Sequence, residues 1–399
     1  MTASTHSFTA PADLEKGIKS WRTRALAVGV VALAAGAAGG LGNPDQFFRS
    51  YLWAYLFFVG VTIGCMALLM LQYLTGGAWG VVIRRLCEAA TRTFPLLLVL
   101  FLPVVLGISH LYSWSHPEVA AADEAIRHKQ AYLNVPFFLG RAAFYFLGWI
   151  VFALLLNKWS LAQDTEPGSR QQLKLQLVSG PGLLFFGLSV TFMAIDWVMS
   201  IDPHWSSTMY GLLFIAGEGL SSMAFLITTL VILSRSRPFS EVITRRHLHD
   251  LGKLMFAFVM VWAYFSFSQF LIIWAGNLPE EIPWYVRRLH GGWGWVGLAL
   301  AAFHFAVPFL LLLSRDIKRN YNLLTAVAVW LLVMRMVDLY WLVMPEFRKG
   351  EFGVSWMDFV IPIGLGGIWL AAFTWQLPKR PLLPPGELHL EEALAHGRD

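Results

Sequence analysis

Ten separate stretches of about twenty mostly apolar residues dominate this sequence, at 24–42, 51–74, 94–113, 136–158, 178–200, 208–234, 254–276, 291–314, 322–344 and 356–376. Wound as an α-helix, a stretch of that length matches the hydrocarbon thickness of a bilayer. In lipid a helix also satisfies its own backbone hydrogen bonds. The pattern predicts an all-α integral membrane protein of ten transmembrane spans. Composition agrees, with 57% hydrophobic residues, a mean hydropathy of +0.57 and 14% charged residues in 399. A soluble domain carries about 25% charged residues.

Lys and Arg in the connecting segments set the orientation. The N-terminal segment holds four (Lys16, Lys19, Arg22, Arg24), loops 2–3, 4–5, 6–7 and 8–9 hold three, three, five and three, and the C-terminal tail three, 21 on one side. The opposite loops hold 7, and Arg141 and Arg335 lie within spans. Both chain ends are therefore expected in the cytoplasm, and the +5 net charge needs no nucleic-acid partner. Residues 1–23 resemble the start of a signal peptide but are expected to remain ahead of a retained first helix at 24–42. Residues 377–399 read as a cytoplasmic tail. The inner loop 75–93 is amphipathic and basic, and reads as a segment lying along the headgroups. Trp114, Tyr132, Trp197, Trp205, Trp284 and Tyr285 crowd the span ends and read as an interfacial aromatic belt.

The spans carry signs of an internal duplication. Gly60 precedes Met66 by six residues, as Gly217 precedes Met223; Met193-x-x-Asp196 is followed by Pro203, as Arg335-x-x-Asp338 is followed by Pro345. Trp114 with Pro117-Glu118 and Trp274 with Pro279-Glu280 supply a third match. The order predicts two parallel four-helix bundles, at 51–200 and 208–344, flanked by spans 1 and 10.

Polar groups in hydrocarbon are costly and mark functional candidates. At about 1.5 Å per residue, His110, Arg141, Asp196, Gln269, Arg335 and Asp338 fall near the outer ends, Glu218 and His304 near the midplane, and Glu88, His249, Asp250 and Lys253 near the inner ends. Together they would form a ladder at three depths. Arg335 and Asp338, at i,i+3, share a helix face; they suit proton transfer, a quinol headgroup, or a pair that only neutralises itself. Arg141 is the candidate partner for Asp196, and with His110 a candidate for a quinone headgroup. Glu218, between two glycines, is open to close helix approach; burial disfavours a charged carboxylate, so it could carry protons or sit neutral. His304, between Phe303 and Phe305, reads more as packing than as a carrier. Two cysteines and no C-x-x-C-H motif exclude a four-cysteine cluster and covalent haem. The histidine positions offer no facing pair for haem b. The chain is expected to hold no cofactor, no metal and no complete active site of its own.

The run Ala194-Ile195-Asp196-Trp197-Val198-Met199-Ser200-Ile201-Asp202-Pro203-His204-Trp205 resembles the ActF-type membrane subunits of alternative complex III, in the NrfD/polysulfide-reductase superfamily. So do Phe267–Trp274 with Asn277-Leu278-Pro279-Glu280-Glu281, and Leu111–Glu118. The resemblance covers most of the chain. It implies two four-helix bundles with terminal helices, in a bacterial inner-membrane complex that oxidises quinol or menaquinol and passes electrons to periplasmic carriers. The implied partners are a paralogous subunit (ActC), to which quinol oxidation is assigned, an iron–sulfur subunit and multihaem cytochrome c subunits, which hold the clusters and haems. A proton pathway is also implied, with Asp196, Glu218, Gln269, Arg335, Asp338, His249 and Lys253 as the matching residues. From the residues alone, two other classes stay open. One is a stand-alone secondary transporter, although only Gly180-Pro181-Gly182 interrupts a span. The other is a passive anchor.

Overall fold

The computed structural model describes residues 8–348 and 351–395, which are helical with no strand among them. Among the described residues ten helices are long and apolar enough to cross a membrane: Ala12–Gly42, Pro44–Thr75, Ala78–Leu106, Val135–Thr165, Ser169–Ile201, Tyr210–Leu233, Arg245–Gly276, Trp293–Leu313, Tyr321–Phe347 and Met357–Lys379. They are numbered here as spans 1 to 10. Each overlaps one of the apolar stretches read from the sequence, and the chain is an all-α, multi-pass membrane protein. Large apolar side chains such as Phe144, Leu154, Leu184 and Leu310 lie exposed along the spans, a surface suited to lipid.

Spans 2 to 5 pack in a closed ring, each against the next and span 5 back against span 2. Spans 6 to 9 close a second ring in the same way. Span 1 lies along span 10, where Gly29 meets Gly364 and Gly367 backbone to backbone. The rings join through spans 2 and 6, the most buried of the ten. Gly64 of span 2 faces Ser222 and the Glu218 backbone so closely that a Cβ would collide with both. The Ser222 hydroxyl donates to the Val61 carbonyl across this seam at 2.9 Å. Small residues let membrane helices approach this way. The first described residues and the segment after span 10 lie on one face, because the Leu382 amide donates to the Phe8 carbonyl at 2.7 Å.

Span 3 shows how side chains repair a broken helix. Around Pro103 the amides of Phe101 and Val104 turn to the carbonyls three residues back, Leu98 and Phe101, and the helix runs in pieces, Phe94–Leu100, Leu102–Leu106 and Ile108–Leu111. The Leu97 and Leu100 carbonyls then accept hydroxyl protons from Tyr55 (3.0 Å) and Tyr51 (2.7 Å) of span 2. A buried backbone group in lipid needs such a substitute partner.

Three sequence expectations are corrected. Gly180-Pro181-Gly182 does not interrupt its span: the helix Ser169–Trp197 runs through Pro181, with Gly182 packed on Phe152 and Met70. The irregular segments are span 3 and a wide π turn at Leu300–Ala306 in span 8. The aromatic belt is largely internal. Trp114, Trp197, Trp205 and Trp284 are buried, the last two stacked at 4.7 Å, and Trp197 sits 4.6 Å from Phe101. Large rings remove the most apolar area when they fill the space between helix ends.

The amphipathic segment does not lie along the headgroups either. Ala78–Thr91 is a helix buried on nearly all sides. Its charges are matched one for one by groups that other segments supply. Arg84 pairs with Glu88 and with Glu387 of the tail, and Arg85 with Glu88 (2.6 Å) and Asp164. Arg380 reaches Glu88 at 3.1 Å. Three arginines thus meet three carboxylates, and Ser160, Gln163 and Asn157 add further hydrogen bonds. Buried charge survives only when paired and hydrogen-bonded.

The seam between the rings makes a prediction. Gly64→Val places atoms where backbone stands and should destabilise the protein by about 1–3 kcal/mol. Gly17→Ala, with open space around it, should be close to neutral. Thermal unfolding of both variants in detergent checks this.

Candidate functional site

Span 6 carries Glu218 between two glycines, and what those glycines face determines its surroundings. Gly217 lies against the Arg335 guanidinium of span 9, and Gly219 against the Phe258 ring of span 7. Across the seam, a Cβ on Gly60 would be 3.2 Å from Glu218 Cγ. Glu218 is 2% exposed, and neither of its carboxyl oxygens has a hydrogen-bond partner. Arg335 is the charged group that faces it.

Arg335 and Asp338 form the ion pair expected from their spacing, both buried. The Arg335 guanidinium lies 5.6 Å from the Phe214 ring. Asp338 also accepts the Trp262 indole N–H at 3.1 Å, and the Trp262 ring lies 4.2 Å from the His304 ring. His304 is fully buried on the π turn and makes no well-formed hydrogen bond; the Met334 backbone, Asp338 and Arg335 are the polar groups that face it. A π turn widens a helix locally and often marks a functional position. Glu218, Arg335, Asp338, Trp262 and His304 thus form one connected cluster inside the second ring.

Beside this cluster a largely apolar cavity of about 630 Å³ lies between spans 7, 8 and 9, with Trp262, Gln269, Tyr285 and Asp338 in its wall. Tyr264 and Phe267 at its rim are exposed. Gln269 is buried and accepts the Ser207 hydroxyl at 3.4 Å.

The remaining candidates lie elsewhere. Arg141 holds Asp196 through two nitrogens, at 2.8 and 2.9 Å, and donates its third to the Tyr132 carbonyl at 3.0 Å. Tyr145 adds a hydroxyl to Asp196 at 2.7 Å. This pair belongs to the first ring. His110 joins Asp45 at 2.6 Å, stacked on Phe48, and shares no partner with Arg141. His249 and Lys253 line a cavity on the face that carries Phe8 and Leu382, with Asp250 3.2 Å from the lysine ammonium.

The three-depth ladder is therefore interrupted. Between Lys253 and Trp262 span 7 carries only apolar residues, Leu254 to Val261. No described hydrogen bond or ion pair links Lys253 to Glu218, and Glu88 belongs to the charge cluster under the tail. Sequence reasoning missed Trp262, Tyr145 and Phe214. An indole or phenol inside an apolar run carries no sign of the carboxylate it will meet. No family model and no curated protein matches this chain.

Arg141→Ala should leave Asp196 buried without its cation, lowering stability by about 3–5 kcal/mol. Adding Asp196→Asn should recover most of that loss. Thermal unfolding of the single and double variants in detergent measures it.

Proposed function

We propose that this chain is a cofactor-free membrane subunit of a quinol-oxidising complex of the alternative complex III type. In this reading it anchors its partners and carries protons through its second ring, with its chain ends in the cytoplasm of a bacterial cell. The resemblance of residues 194–205 and 267–281 to the ActF-type subunits supports the assignment to such a complex. Glu218 supports the proton role: a carboxyl group enclosed by protein, with no hydrogen-bond donor, beside an arginine already paired to a second carboxylate.

The chemistry follows from that arrangement. An isolated buried carboxylate is expensive, so Glu218 holds its proton when the site is dry. A small shift bringing its carboxyl group to the Arg335 guanidinium stabilises the anion and releases the proton. Asp338 competes for the same arginine, and neutralising either carboxylate frees Arg335 for the other. Redox chemistry in the partner subunits, which hold the haems and clusters, drives the shift. A paralogous membrane subunit, an iron–sulfur subunit and multihaem cytochromes are the partners in this proposal, and quinol or menaquinol is oxidised by the complex rather than by this chain.

A passive anchor is the second reading, favoured by the saturation of Asp338 between Arg335 and Trp262. The two readings separate on the proton yield per electron of the assembled complex in sealed vesicles. Glu218→Gln and Asp338→Asn should each lower the yield while quinol oxidation and assembly persist. An unchanged yield in both variants sinks the conduction role. Recovery of the chain from native membranes without a multihaem cytochrome would instead favour a stand-alone transporter.

A further inference from the structure

On the face that carries Phe8 and Leu382, the starts of spans 7 and 9 and the short helix Arg315–Arg319 leave an open cavity of about 1360 Å³. Arg245 and Arg246 enter it from the first turn of the helix Arg245–Gly276, Lys253 from two turns further on, and Arg319 from the short helix Arg315–Arg319. Arg315 and Lys318 lie on that same short helix. The opposing carboxylates are Asp250, engaged by Lys253 at 3.2 Å, and Asp316. Among the described residues Arg245, Arg246, Arg315 and Arg319 have no carboxylate within ion-pair distance. Lys318 is buried against Gly252, and its ammonium is held below the ordinary lysine range by that burial, then by Lys253 and Arg315. Positive charge thus outnumbers the two carboxylates here, and the first-turn amides of span 7 add to it.

A second hollow of about 460 Å³ adjoins the first and shares Asp250 and Lys253 with it. Its other walls are Ala78, Trp79, Leu254 and Ala257, with Glu392 at one side. The exposed side chains of Met260, Val261 and Tyr264 lie further along span 7, toward the middle of the bilayer. A basic cavity thus opens directly onto an apolar track at the membrane surface. A soluble phosphate compound would need only the first element; the second suits an acyl chain.

We propose that this cavity binds the phosphate headgroup of an anionic phospholipid. Arg245, Arg246 and Arg319 hold the phosphate, and an acyl chain lies in the hollow beside Trp79. The site does not depend on the redox role proposed above.

Native mass spectrometry of the detergent-purified protein with added lipid tests the site. Phosphatidylglycerol should be retained in preference to phosphatidylcholine, and excess inorganic phosphate should not displace it. The triple variant Arg245→Gln/Arg246→Gln/Arg319→Gln should bind phosphatidylglycerol about a hundredfold more weakly. Trp79→Ala should weaken retention without changing the preference for the anionic headgroup. Arg237→Gln serves as a control: that arginine is exposed and paired with Glu241, and its loss should leave binding unchanged. Arg319→Gln alone keeps the test available should the triple variant fail to fold. Retention in the arginine variants equal to wild type would overturn the proposal. So would equal binding of the zwitterionic lipid, or displacement by inorganic phosphate.

Discussion

The approach of span 6 to span 2 at Gly60 and Gly64 governs the interior of this protein. Two membrane helices touch this closely only where one of them presents no side chain, and here the bare surface of span 2 faces Glu218 and Ser222. Each ring contributes its most buried helix to the contact. The carboxyl group of Glu218 is left buried, with no hydrogen-bond donor turned toward it. A bulkier residue at position 60 or 64 would separate the rings and rearrange the surroundings of the cluster together.

Polar groups in the two rings are handled differently. Asp196 is saturated by Arg141 and Tyr145, a closed arrangement that fixes spans 4 and 5 against one another. In the second ring one arginine stands near two carboxylates, and one of them has no donor. His304 on its π turn adds a further buried group without a well-formed hydrogen bond to the second ring.

The membrane helices were readable from length and polarity because lipid imposes both. Arg335 with Asp338 was readable because i,i+3 spacing puts two side chains on one face, and Arg141 was named as the candidate partner of Asp196 because both lie near the outer ends of neighbouring spans. Contacts between distant segments were not readable. The amphipathic helix 78–91 presents the same pattern of charge to a headgroup layer as to a set of buried counter-ions, and only Asp164, Arg380 and Glu387, far along the chain, decide between them. The buried tryptophans misled for a similar reason, since a ring at a span end can face lipid or a neighbouring helix. The break between Lys253 and Glu218 was visible as an apolar run but was obscured by treating depth as if it were proximity.

The cluster beneath the tail has a consequence for the order in which the chain is made. Arg84 precedes its partner Glu387 by 303 residues, so throughout nearly all of synthesis the helix 78–91 has two arginines and one glutamate of its own. Span 4 brings Asp164, and only the segment after span 10 delivers Arg380 and Glu387. Until then this helix has reason to stay at the wet surface, which is where its composition alone would put it. Its burial is then a late event in assembly, and the tail acts as a latch that closes once all ten spans are in place.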